Sequence, residues 1–340
     1  MNVSDFDFHL PAELIAQDPP VERGASRLLA LDRATGRVSH HQFADLPSLL
    51  RPGDLLVVND TRVFPARLIG DRVPGGGAAE CFLVRPTDVS DVWVALVHPG
   101  QRLREGARMV FAAGALRLHA EVVGMHFHGR RTVRLWTDDG TGIREAIDAI
   151  GHIPLPPYIK REDAPADRDR YQTVFARVRG SIASPTAGLH FTPALLDALT
   201  DRGVQRTAVT LHVGYGTFQP IRVDRVEDHR MEAEHYEVSA ATAAALTAAR
   251  REHRRIITVG TTSTRTVESL AIEADGEVQP ARGETALFIH PGAPVPAGLG
   301  NGDQLPPAAV VADHAGVRAR GPRAGAGGIR GRRQGTLSVL

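Results

Sequence analysis

Short apolar segments alternate with turn-forming residues in the first half of the chain. The clearest lie at residues 66–70, 80–84, 92–97, 117–123 and 132–136, and Gly, Pro or Asp residues separate each segment from the next. Strands of this length at such even spacing are typical of a small β-barrel or β-sandwich. This part of the sequence therefore predicts a β domain of its own.

A different pattern, in which apolar strands alternate with helices, surrounds this segment. Strands are predicted at 54–60, 206–213 and 255–260, and helices at 193–201, at 240–251 and from the 261–265 cluster through Leu270, the first two capped by Thr192 and Ser239. A short helix at 143–150 precedes the return to this pattern. Alternation of strand and helix favours an α/β layer with parallel strands. We therefore predict an α/β fold: a layered α/β domain with a mainly parallel sheet, residues 1–62 and 151–292, interrupted by an inserted small β-barrel domain, residues 63–150.

Composition limits the class of protein. The 340 residues are 42% hydrophobic and 23% charged, with a net charge of +1, and no apolar run has the length of a membrane span. The first ten residues lack the basic and apolar regions of a secretory signal. Cys81 is the only cysteine, which excludes an internal disulfide, and its apolar neighbours predict a core residue. A cytoplasmic monomer without membrane contact is expected.

Three polar clusters follow predicted strands: Asn59-Asp60-Thr61-Arg62, His212-Val213-Gly214-Tyr215-Gly216-Thr217, and Gly260-Thr261-Thr262-Ser263-Thr264-Arg265. In open α/β sheets the ligand crevice lies beyond the carboxyl ends of the strands. The third cluster is predicted as a loop that opens a helix, where hydroxyls and free amides favour an anion. The alternative for this cluster is a Ser/Thr helix cap with a solvent-facing Arg.

Other residues leave their interpretation open. Gly214-Tyr215-Gly216 permits close approach of a ligand to the backbone or forms a tight turn, and it lacks the third Gly of a dinucleotide fingerprint. His229 with Glu232 and Glu234 is either acid–base equipment or a solvated charged face. Metal binding is not expected, because His190, His212, His229 and His235 have no carboxylate or cysteine at a metal-ligand spacing.

Taken together, these stretches resemble the S-adenosylmethionine:tRNA ribosyltransferase-isomerase family of queuosine biosynthesis. The resemblance extends from Phe6 to about Gly292 and rests on several long motifs in a fixed order. They are Phe6-Asp7-Phe8-His9-Leu10-Pro11, residues 23–29, residues 53–63, Tyr171-Gln172-Thr173-Val174-Phe175, Ser184-Pro185-Thr186-Ala187-Gly188-Leu189-His190-Phe191-Thr192, residues 209–218 and residues 259–266.

The resemblance implies an enzyme that moves the ribosyl unit of its co-substrate S-adenosylmethionine onto 7-aminomethyl-7-deazaguanine in tRNA. The unit is isomerised to an epoxycyclopentane, with release of adenine and methionine. A sulfonium acidifies the neighbouring carbon, so the reaction needs a proton acceptor, and the departing adenine needs a proton donor. The expected catalytic residues are His190, His212, His229 and Glu234.

The same resemblance implies the substrate contacts. Thr261, Thr262, Ser263 and Arg265 are expected to hold the methionine carboxylate, and Asp60 and Arg62 to hold ribose hydroxyls or the edge of the deazaguanine. The remaining substrate-binding candidates come from the two Gly-containing motifs: Thr186, Gly188, Gly214, Gly216 and Thr217. This chain departs from the family pattern at Glu232, where the family carries a His, which argues against a role for Glu232.

The resemblance stops after Gly292, where the family pattern continues with an aromatic-rich segment and a Thr-Asn-Phe-His-Leu-Pro motif. Codons for residues 303–311 can be chosen so that the frame one base later encodes Thr-Asn-Phe-His-Leu-Pro-Arg-Ser-Ser, with G or C at every codon end. A GC-rich gene fits a chain whose only lysine is Lys160. We therefore predict a frameshift near Gly292, with residues 293–340 as an atypical, disordered or frameshifted tail.

The net positive charge of the chain comes from residues 293–340. They contain six Arg and two Asp, a net charge of +4, so the rest of the chain carries −3 of the total +1. Binding of tRNA therefore needs a local patch, and the candidates lie around the proline-rich segment at 154–157: Arg161, Arg168, Arg170, Arg177 and Arg179. Ordinary solvated charge is the alternative for these residues.

Two other hypotheses remain open. One is a catalytically impaired, tRNA-binding relative that lacks the last motif. The other is an unrelated S-adenosylmethionine enzyme such as a methyltransferase, which is disfavoured because the glycine-rich first loop of that fold is missing. Ligand binding without turnover distinguishes the first of these, and methyl transfer the second.

Overall fold

The computed structural model describes residues 1–32, 35–291, 309–311 and 337–339, and within them the chain forms a mixed sheet and a closed barrel. In the described residues the strands are β1 (Arg27–Asp32), β2 (Val38–Gln42), β3 (Leu55–Asn59), β4 (Thr61–Val63), β5 (Arg67–Val73), β6 (Ala78–Pro86), β7 (Val92–His98), β8 (Arg108–Ala113), β9 (Leu116–Met125), β10 (Arg130–Thr137), β11 (Val178–Ser181), β12 (Gln205–Leu211), β13 (Glu234–Val238), β14 (Ile256–Val259), β15 (Ala281–Thr285), β16 (Ala309–Val311) and β17 (Leu337–Val339).

The helices of the same residues are short and lie mostly between strands. They are α1 (Leu46–Leu49), α2 (Ile143–Ile150), α3 (Asp167–Arg170), α4 (Pro193–Asp201), α5 (Ala240–Arg251) and α6 (Gly260–Glu268). Turns of 3-10 helix lie at Val3–Phe6, Ala12–Leu14, Phe43–Asp45, Phe127–Gly129, Thr186–His190, Tyr215–Phe218 and Val226–Asp228.

The large sheet has the strand order β15-β13-β12-β3-β14-β16-β17-β1-β2. Strands β12, β3, β14, β16 and β17 are parallel to their neighbours in the centre, whereas β13 and β15 on one side and β1 and β2 on the other are antiparallel. The predicted α/β layer is confirmed, and its sheet is parallel at the centre and antiparallel at both edges. A separate two-stranded parallel ladder joins β4 to β11.

Strand β3 is buried along its whole length because helices cover both faces of the sheet. Successive side chains of a strand point to opposite faces, so Leu56 and Val58 join one apolar cluster and Leu55 and Val57 the other. Helices α1 and α4 pack in the first cluster, and α5 and α6 in the second. The continuous apolar run of β3 is the sequence signature of this position.

The inserted segment forms a closed antiparallel barrel in the order β10-β7-β6-β5-β8-β9. Its interior is a single apolar cluster to which α2 contributes Ala146, Ile147 and Ile150. Cys81 is fully buried in this cluster, and burial raises the pKa of its thiol to about 12, as expected for a core residue. The predicted barrel is confirmed, with one strand, β8, that the sequence pattern did not indicate.

The two helix starts predicted from cap residues, Thr192 and Ser239, are confirmed. Thr192 Oγ1 accepts a hydrogen bond from the Leu195 amide at 3.1 Å, and Ser239 Oγ accepts one from the Thr242 amide at 3.2 Å. The predicted loop at 261–265 is wrong, because α6 begins at Gly260 directly after β14. Gly260 has φ +80°, which lets the chain turn from strand to helix without a loop.

The predicted disordered or frameshifted tail, 293–340, lies outside the described residues except for the backbones of β16 and β17. In the described part of the chain, none of the helices combines the length and the apolarity that a transmembrane segment requires.

The junction between α2 and the barrel gives a test of packing. A Cβ atom at Gly151 would lie 2.0 Å from the Pro65 carbonyl oxygen and 2.7 Å from that of Ile147. We expect Gly151→Ala to lower the free energy of unfolding by about 1–3 kcal/mol, because backbone must move. Gly142→Ala, where a Cβ meets nothing within 4 Å, is the control; it exchanges the N-cap glycine of α2 for a poorer cap, so we expect a smaller loss, below about 1 kcal/mol. Equal denaturation midpoints for the two variants would contradict this packing.

A buried ion pair at the amino end of β3 gives a second test. The Arg255 Nε donates to Asp54 Oδ1 at 2.8 Å, and the exposed fraction is 3% for the Asp54 side chain and 13% for the Arg255 side chain. Asp54→Ala leaves a buried guanidinium unpaired, so we expect a loss of about 3 kcal/mol in chemical denaturation. Asp275→Ala, which breaks the exposed Arg251–Asp275 pair, is expected to cost at most about 0.5 kcal/mol. Similar losses in both variants would show that burial does not matter here.

Candidate active site

The parallel strands β3, β12 and β14 bring three of the sequence clusters to one edge of the sheet. Their last residues are Asn59, Leu211 and Val259, and the polar clusters follow directly. The Asn59 side chain is buried and forms two hydrogen bonds with the backbone of Leu211, donating to its oxygen and accepting from its nitrogen, both at 3.0 Å. The carboxamide thus continues the β3–β12 pairing beyond the point where β3 ends.

Asp60 points inward and is fully engaged. Its Oδ1 accepts a hydrogen bond from Thr210 Oγ1 at 2.6 Å, and its Oδ2 accepts two from the Arg177 guanidinium at 2.7 and 3.1 Å. The side chain of Asp60 is 5% exposed and that of Arg177 is 74% exposed. The structure therefore gives Asp60 a role in joining β12 to the Arg177 segment.

Arg62 is exposed beside an open cleft of about 240 Å³. The residues that line it are Arg23, Arg62, Asp169, Gln172, Thr173, Val174 and Ala176. The Arg23 guanidinium donates to backbone oxygens of Gln172 and Asp169 at 2.6 and 3.0 Å and is therefore occupied. Arg62 is the cationic side chain of this cleft that faces solvent.

His212 sits at the end of β12 and is held on one side of its ring. Its Nδ1 lies 2.8 Å from Thr61 Oγ1, and Thr61 Oγ1 lies 2.8 Å from Ser181 Oγ. A Cβ atom at Gly180 would come within 2.5 Å of the His212 ring, so only glycine leaves room for it. Burial, followed by the nearby His235, lowers the pKa of His212 below the ordinary value of 6.5, while Asp60 and Glu237 oppose the shift. At neutral pH the imidazole is uncharged.

Glu234 and Arg265 form a buried pair beside the loop that follows His212. The Arg265 Nη1 donates to Glu234 Oε2, and Glu234 Oε1 accepts a hydrogen bond from the Gly214 amide at 2.8 Å. The same guanidinium donates to the backbone oxygens of Leu287 and Thr285 at 2.7 and 3.1 Å. Two alternatives from the sequence are therefore wrong, because Glu234 is not part of a solvated face and Arg265 is not solvent-facing.

The Gly214–Phe218 loop lies between the sheet and the barrel. Tyr215 and Phe218 pack against Phe82 of β6, with ring centroids 5.6 and 6.3 Å away. Glu232 approaches the position of a Gly216 Cβ and accepts a hydrogen bond from Arg130 of β10. The loop therefore touches both parts of the fold, and Thr217 is its exposed residue.

The two remaining histidine candidates lie in different surroundings. The His229 ring packs edge-on against Phe288 at 4.8 Å, next to Leu287, whose oxygen binds Arg265. The His190 ring lies 5.0 Å from Phe43, in the apolar cluster that α4 covers. His229 is thus connected to the Glu234–Arg265 pair indirectly, through Phe288 and Leu287, and His212 through the chain that leads to Gly214. His190 instead lies against the apolar cluster that α4 covers.

The other candidates of the Thr186–His190 turn contact neighbouring elements. A Cβ at Gly188 would lie 2.7 Å from a Thr173 methyl carbon, so this glycine permits close packing against the Tyr171–Phe175 motif. A Cβ at Gly260 would lie 3.3 Å from the Cβ of Ala187, so the turn borders the start of α6. Thr186 is half-buried at the beginning of this turn.

The hydroxyl residues of α6 differ in exposure. Thr261 is exposed in the first turn, whereas the buried hydroxyl oxygens of Thr262 and Ser263 have no hydrogen-bond partner among the described residues. Thr264 Oγ1 donates to the Gly260 oxygen at 3.0 Å. Val259 precedes the helix and supplies no side-chain cap, so within the described part of the chain no N-cap side chain competes with an anion for the first-turn amides.

The arginines proposed from the sequence as a tRNA patch have partners within the protein. Arg161 pairs with Asp167, Arg179 with Asp148 and Arg177 with Asp60. Arg168 and Arg170 donate to backbone oxygens. Three of these five arginines are therefore paired with carboxylates. Although Arg177 is one of the three, its side chain is 74% exposed and remains accessible from solvent.

Two residues of the site, Thr61 and Ser181, were missed as functional candidates. Thr61 stands inside the Asn59–Arg62 motif, so its motif position was a usable signal. Ser181 and the adjoining Gly180 lie in a segment with no distinctive pattern, and only the pairing of β11 with β4 brings them to His212. Among the described residues no group of three or more His, Cys, Asp and Glu side chains is arranged to hold a metal ion. That the reaction needs no metal stays a prediction.

Comparisons with known proteins find relatives over most of the chain. A family model described as "Queuosine biosynthesis protein" matches residues 3–298. An S-adenosylmethionine:tRNA ribosyltransferase-isomerase of Solibacter usitatus is 49% identical, with 86% of this chain and 84% of the relative covered. The protein of the same name from Geobacter metallireducens is 50% identical, with 86% and 83% covered.

A solved structure of an S-adenosylmethionine tRNA ribosyltransferase from Thermotoga maritima is 32% identical and has a TM-score of 0.41, with 86% of this chain and 81% of that chain covered. The match of the family model ends close to Gly292, where the motifs of the sequence also end. Because the family model matches most of the chain, and relatives about 50% identical cover 86% of it, the chain belongs to the S-adenosylmethionine:tRNA ribosyltransferase-isomerase family of queuosine biosynthesis.

Proposed function

We propose that this chain transfers and isomerises the ribosyl moiety of S-adenosylmethionine onto the 7-aminomethyl-7-deazaguanine base of tRNA. The products are epoxyqueuosine-tRNA, adenine and methionine. The observation that carries the proposal is the meeting of the motifs at Asn59–Arg62, His212–Thr217 and Gly260–Arg265 at one sheet edge, in a chain of this family. A ligand crevice at this edge is the general expectation for parallel sheets.

The reaction requires a proton acceptor near the carbon beside the sulfonium and a hydrogen-bond donor near the adenine. A neutral His212 suits the sheet edge, because an uncharged imidazole does not repel the cationic sulfonium. His229 lies on the same side as the Glu234–Arg265 pair and is the remaining histidine candidate there. Glu234, which Arg265 and the Gly214 amide occupy, acts in this proposal as a positioning residue.

The start of α6 fits the methionine carboxylate. Its first-turn amides lack a side-chain cap, and Thr261 is exposed beside them. Both features favour an anion at this helix end. Arg265 points to Glu234, so in this proposal it shapes the site and does not bind the carboxylate itself.

Contact with tRNA is assigned to the exposed Arg62 and Arg177 near the same edge, since phosphate contacts of Arg position a nucleic acid. The division into an α/β domain, 1–62 with 151–292, and an inserted barrel domain, 63–150, belongs to this proposal, as does the position of the site between them. A monomeric state and a cytoplasmic location stay predictions.

Activity itself is the first test. The full-length chain, incubated with S-adenosylmethionine and tRNA that carries the 7-aminomethyl-7-deazaguanine base, is expected to release adenine and methionine in equal amounts. Binding of the tRNA without release of adenine would instead support the catalytically impaired relative. Methylated tRNA would support a methyltransferase and overturn the proposal.

Replacement of His212 tests its place in the site. We expect His212→Asn to lower kcat by about 100-fold or more, because a group that contacts the reacting atoms is lost. His253→Asn is the control, since His253 is exposed after α5 and Asn tolerates its φ of +53°. Adenine release under saturating substrates is the measurement. Equal rates in both variants would remove His212 from the mechanism.

Replacement of Glu234 separates a positioning role from direct proton transfer. Glu234→Gln leaves the buried Arg265 guanidinium without its anion, so we expect the free energy of unfolding to fall by about 3 kcal/mol along with activity. Glu284→Gln, which removes the exposed partner of His235, is the matched control and leaves both nearly unchanged. A Glu234→Gln protein of full stability that has lost turnover would show that this carboxylate transfers the proton itself.

A further inference from the structure

Two buried hydroxyl groups connect a backbone amide to the ring of His212. The Val213 amide donates to Ser181 Oγ at 2.7 Å, Ser181 Oγ lies 2.8 Å from Thr61 Oγ1, and Thr61 Oγ1 lies 2.8 Å from His212 Nδ1. Ser181 is 0% exposed and Thr61 is 1% exposed. The hydroxyl protons are therefore shared only among these groups and the backbone oxygens beside them.

The direction of this chain follows from its first member. A backbone amide can only donate, so Ser181 Oγ accepts from Val213 and its own proton is left for Thr61 Oγ1. Thr61 then donates its proton either to His212 Nδ1 at 2.8 Å or to the Val178 oxygen at 3.5 Å, and the shorter contact is the stronger. In the opposite direction the Ser181 proton has no acceptor among the described residues, which is costly for a buried hydroxyl.

We propose that Thr61 and Ser181 are positioning residues that hold His212 as the neutral tautomer with its proton on Nε2. Nδ1 is then the acceptor of the Thr61 hydroxyl, and Nε2 presents N–H to the site. His212 consequently donates a hydrogen bond to an acceptor atom of the substrate and cannot take a proton at Nε2. The catalytic part of this inference rests on the proposed function, whereas the tautomer does not.

The surroundings of the ring agree with a neutral state. The Gly180 backbone lies directly against the ring, and burial lowers the pKa of His212. The charged and titratable groups around it are His235 and Glu237 on β13 and Asp60 after β3, of which His235 lowers the pKa and the two carboxylates raise it. Asp60 is itself paired with Arg177, which weakens its pull on a proton at His212.

The lowered pKa fixes the sign of the pH dependence. Below the ordinary value of 6.5 the unfolded chain protonates this histidine before the folded chain does, so stability falls with falling pH in that window and is unaffected well above it. The fully protonated imidazole would have to donate from Nδ1 to Thr61 and reverse the whole chain of hydroxyls. The relay and the burial thus favour the same uncharged form.

Nitrogen NMR of the full chain labelled with ¹⁵N-histidine tests the inference without any assay of activity. The signals of His212, assigned by their loss in His212→Asn, are expected to show a protonated Nε2 and an unprotonated Nδ1, with a titration midpoint below 6.5. A protonated Nδ1 in the unaltered protein, or a midpoint above 6.5, overturns the proposal.

Three variants test whether the hydroxyl is the cause. Thr61→Val removes it at constant shape, and we expect mixed tautomers, a higher midpoint and a kcat lower by about tenfold, the effect of one lost hydrogen bond. Thr61→Ser restores the hydroxyl and the unaltered spectrum. Thr207→Val is the control, because Thr207 lies on β12 away from the site and its hydroxyl donates to Thr242 of α5. A Thr61→Val spectrum like that of Thr207→Val overturns the proposal.

The NMR spectra and the assay of adenine release separate this inference from the proposed function. If the spectra follow the expected pattern but neither the unaltered chain nor any variant releases adenine, the tautomer assignment stands and the proposed function fails. If adenine is released while the unaltered chain carries its proton on Nδ1, the function stands and the relay fails. Should Thr61→Val not fold, the spectrum of the unaltered chain and that of Thr61→Ser still decide the tautomer.

Discussion

The arrangement of the site depends on how β3 leaves the sheet. Beyond Asn59 the chain must turn into β4 and then enter the barrel, which takes away the backbone partner of Leu211 at the end of β12. An unpaired buried amide or carbonyl costs about 1–3 kcal/mol, and here there would be one of each. The Asn59 carboxamide supplies both missing hydrogen bonds and also accepts one from the Thr61 amide at 3.1 Å. One side chain therefore lets two folding units meet without loosening the strand that carries His212.

Much of the electrostatic charge near the site is used to hold the backbone in place. Arg265 binds Glu234 and two carbonyl oxygens, and Arg177 binds Asp60, so the arginines that stand out in the motifs fix loops to strands. A buried pair of this kind is costly to break, which suits a site that must keep its geometry. In the proposed function, recognition of anionic groups then belongs to backbone amides at the start of α6 and to the exposed side chains of Arg62 and Arg177.

The sequence predicted the fold where local signals are strong. The caps Thr192 and Ser239 mark α4 and α5, and the apolar run of β3 marks a strand buried on both faces. It failed where a single residue acts through its conformation or through distant pairing: Gly260 starts α6 without a loop, and β8 is needed to close the barrel between β5 and β9. For the site, motif position indicated His212, but the partner of Arg265 and the approach of Ser181 depend on strands far apart in the chain.

The close packing of the His212 ring on Gly180 has a consequence for sequence variation within the family. A single methyl group there would overlap the His212 ring, although 31 residues separate the two positions and no hydrogen bond joins them. A larger residue at position 180 is therefore excluded by a steric clash with the imidazole and not by the backbone torsion angles. Across an alignment, loss of the small residue should accompany loss of the histidine, so this pair offers a covariation signal for telling intact members from degenerate ones.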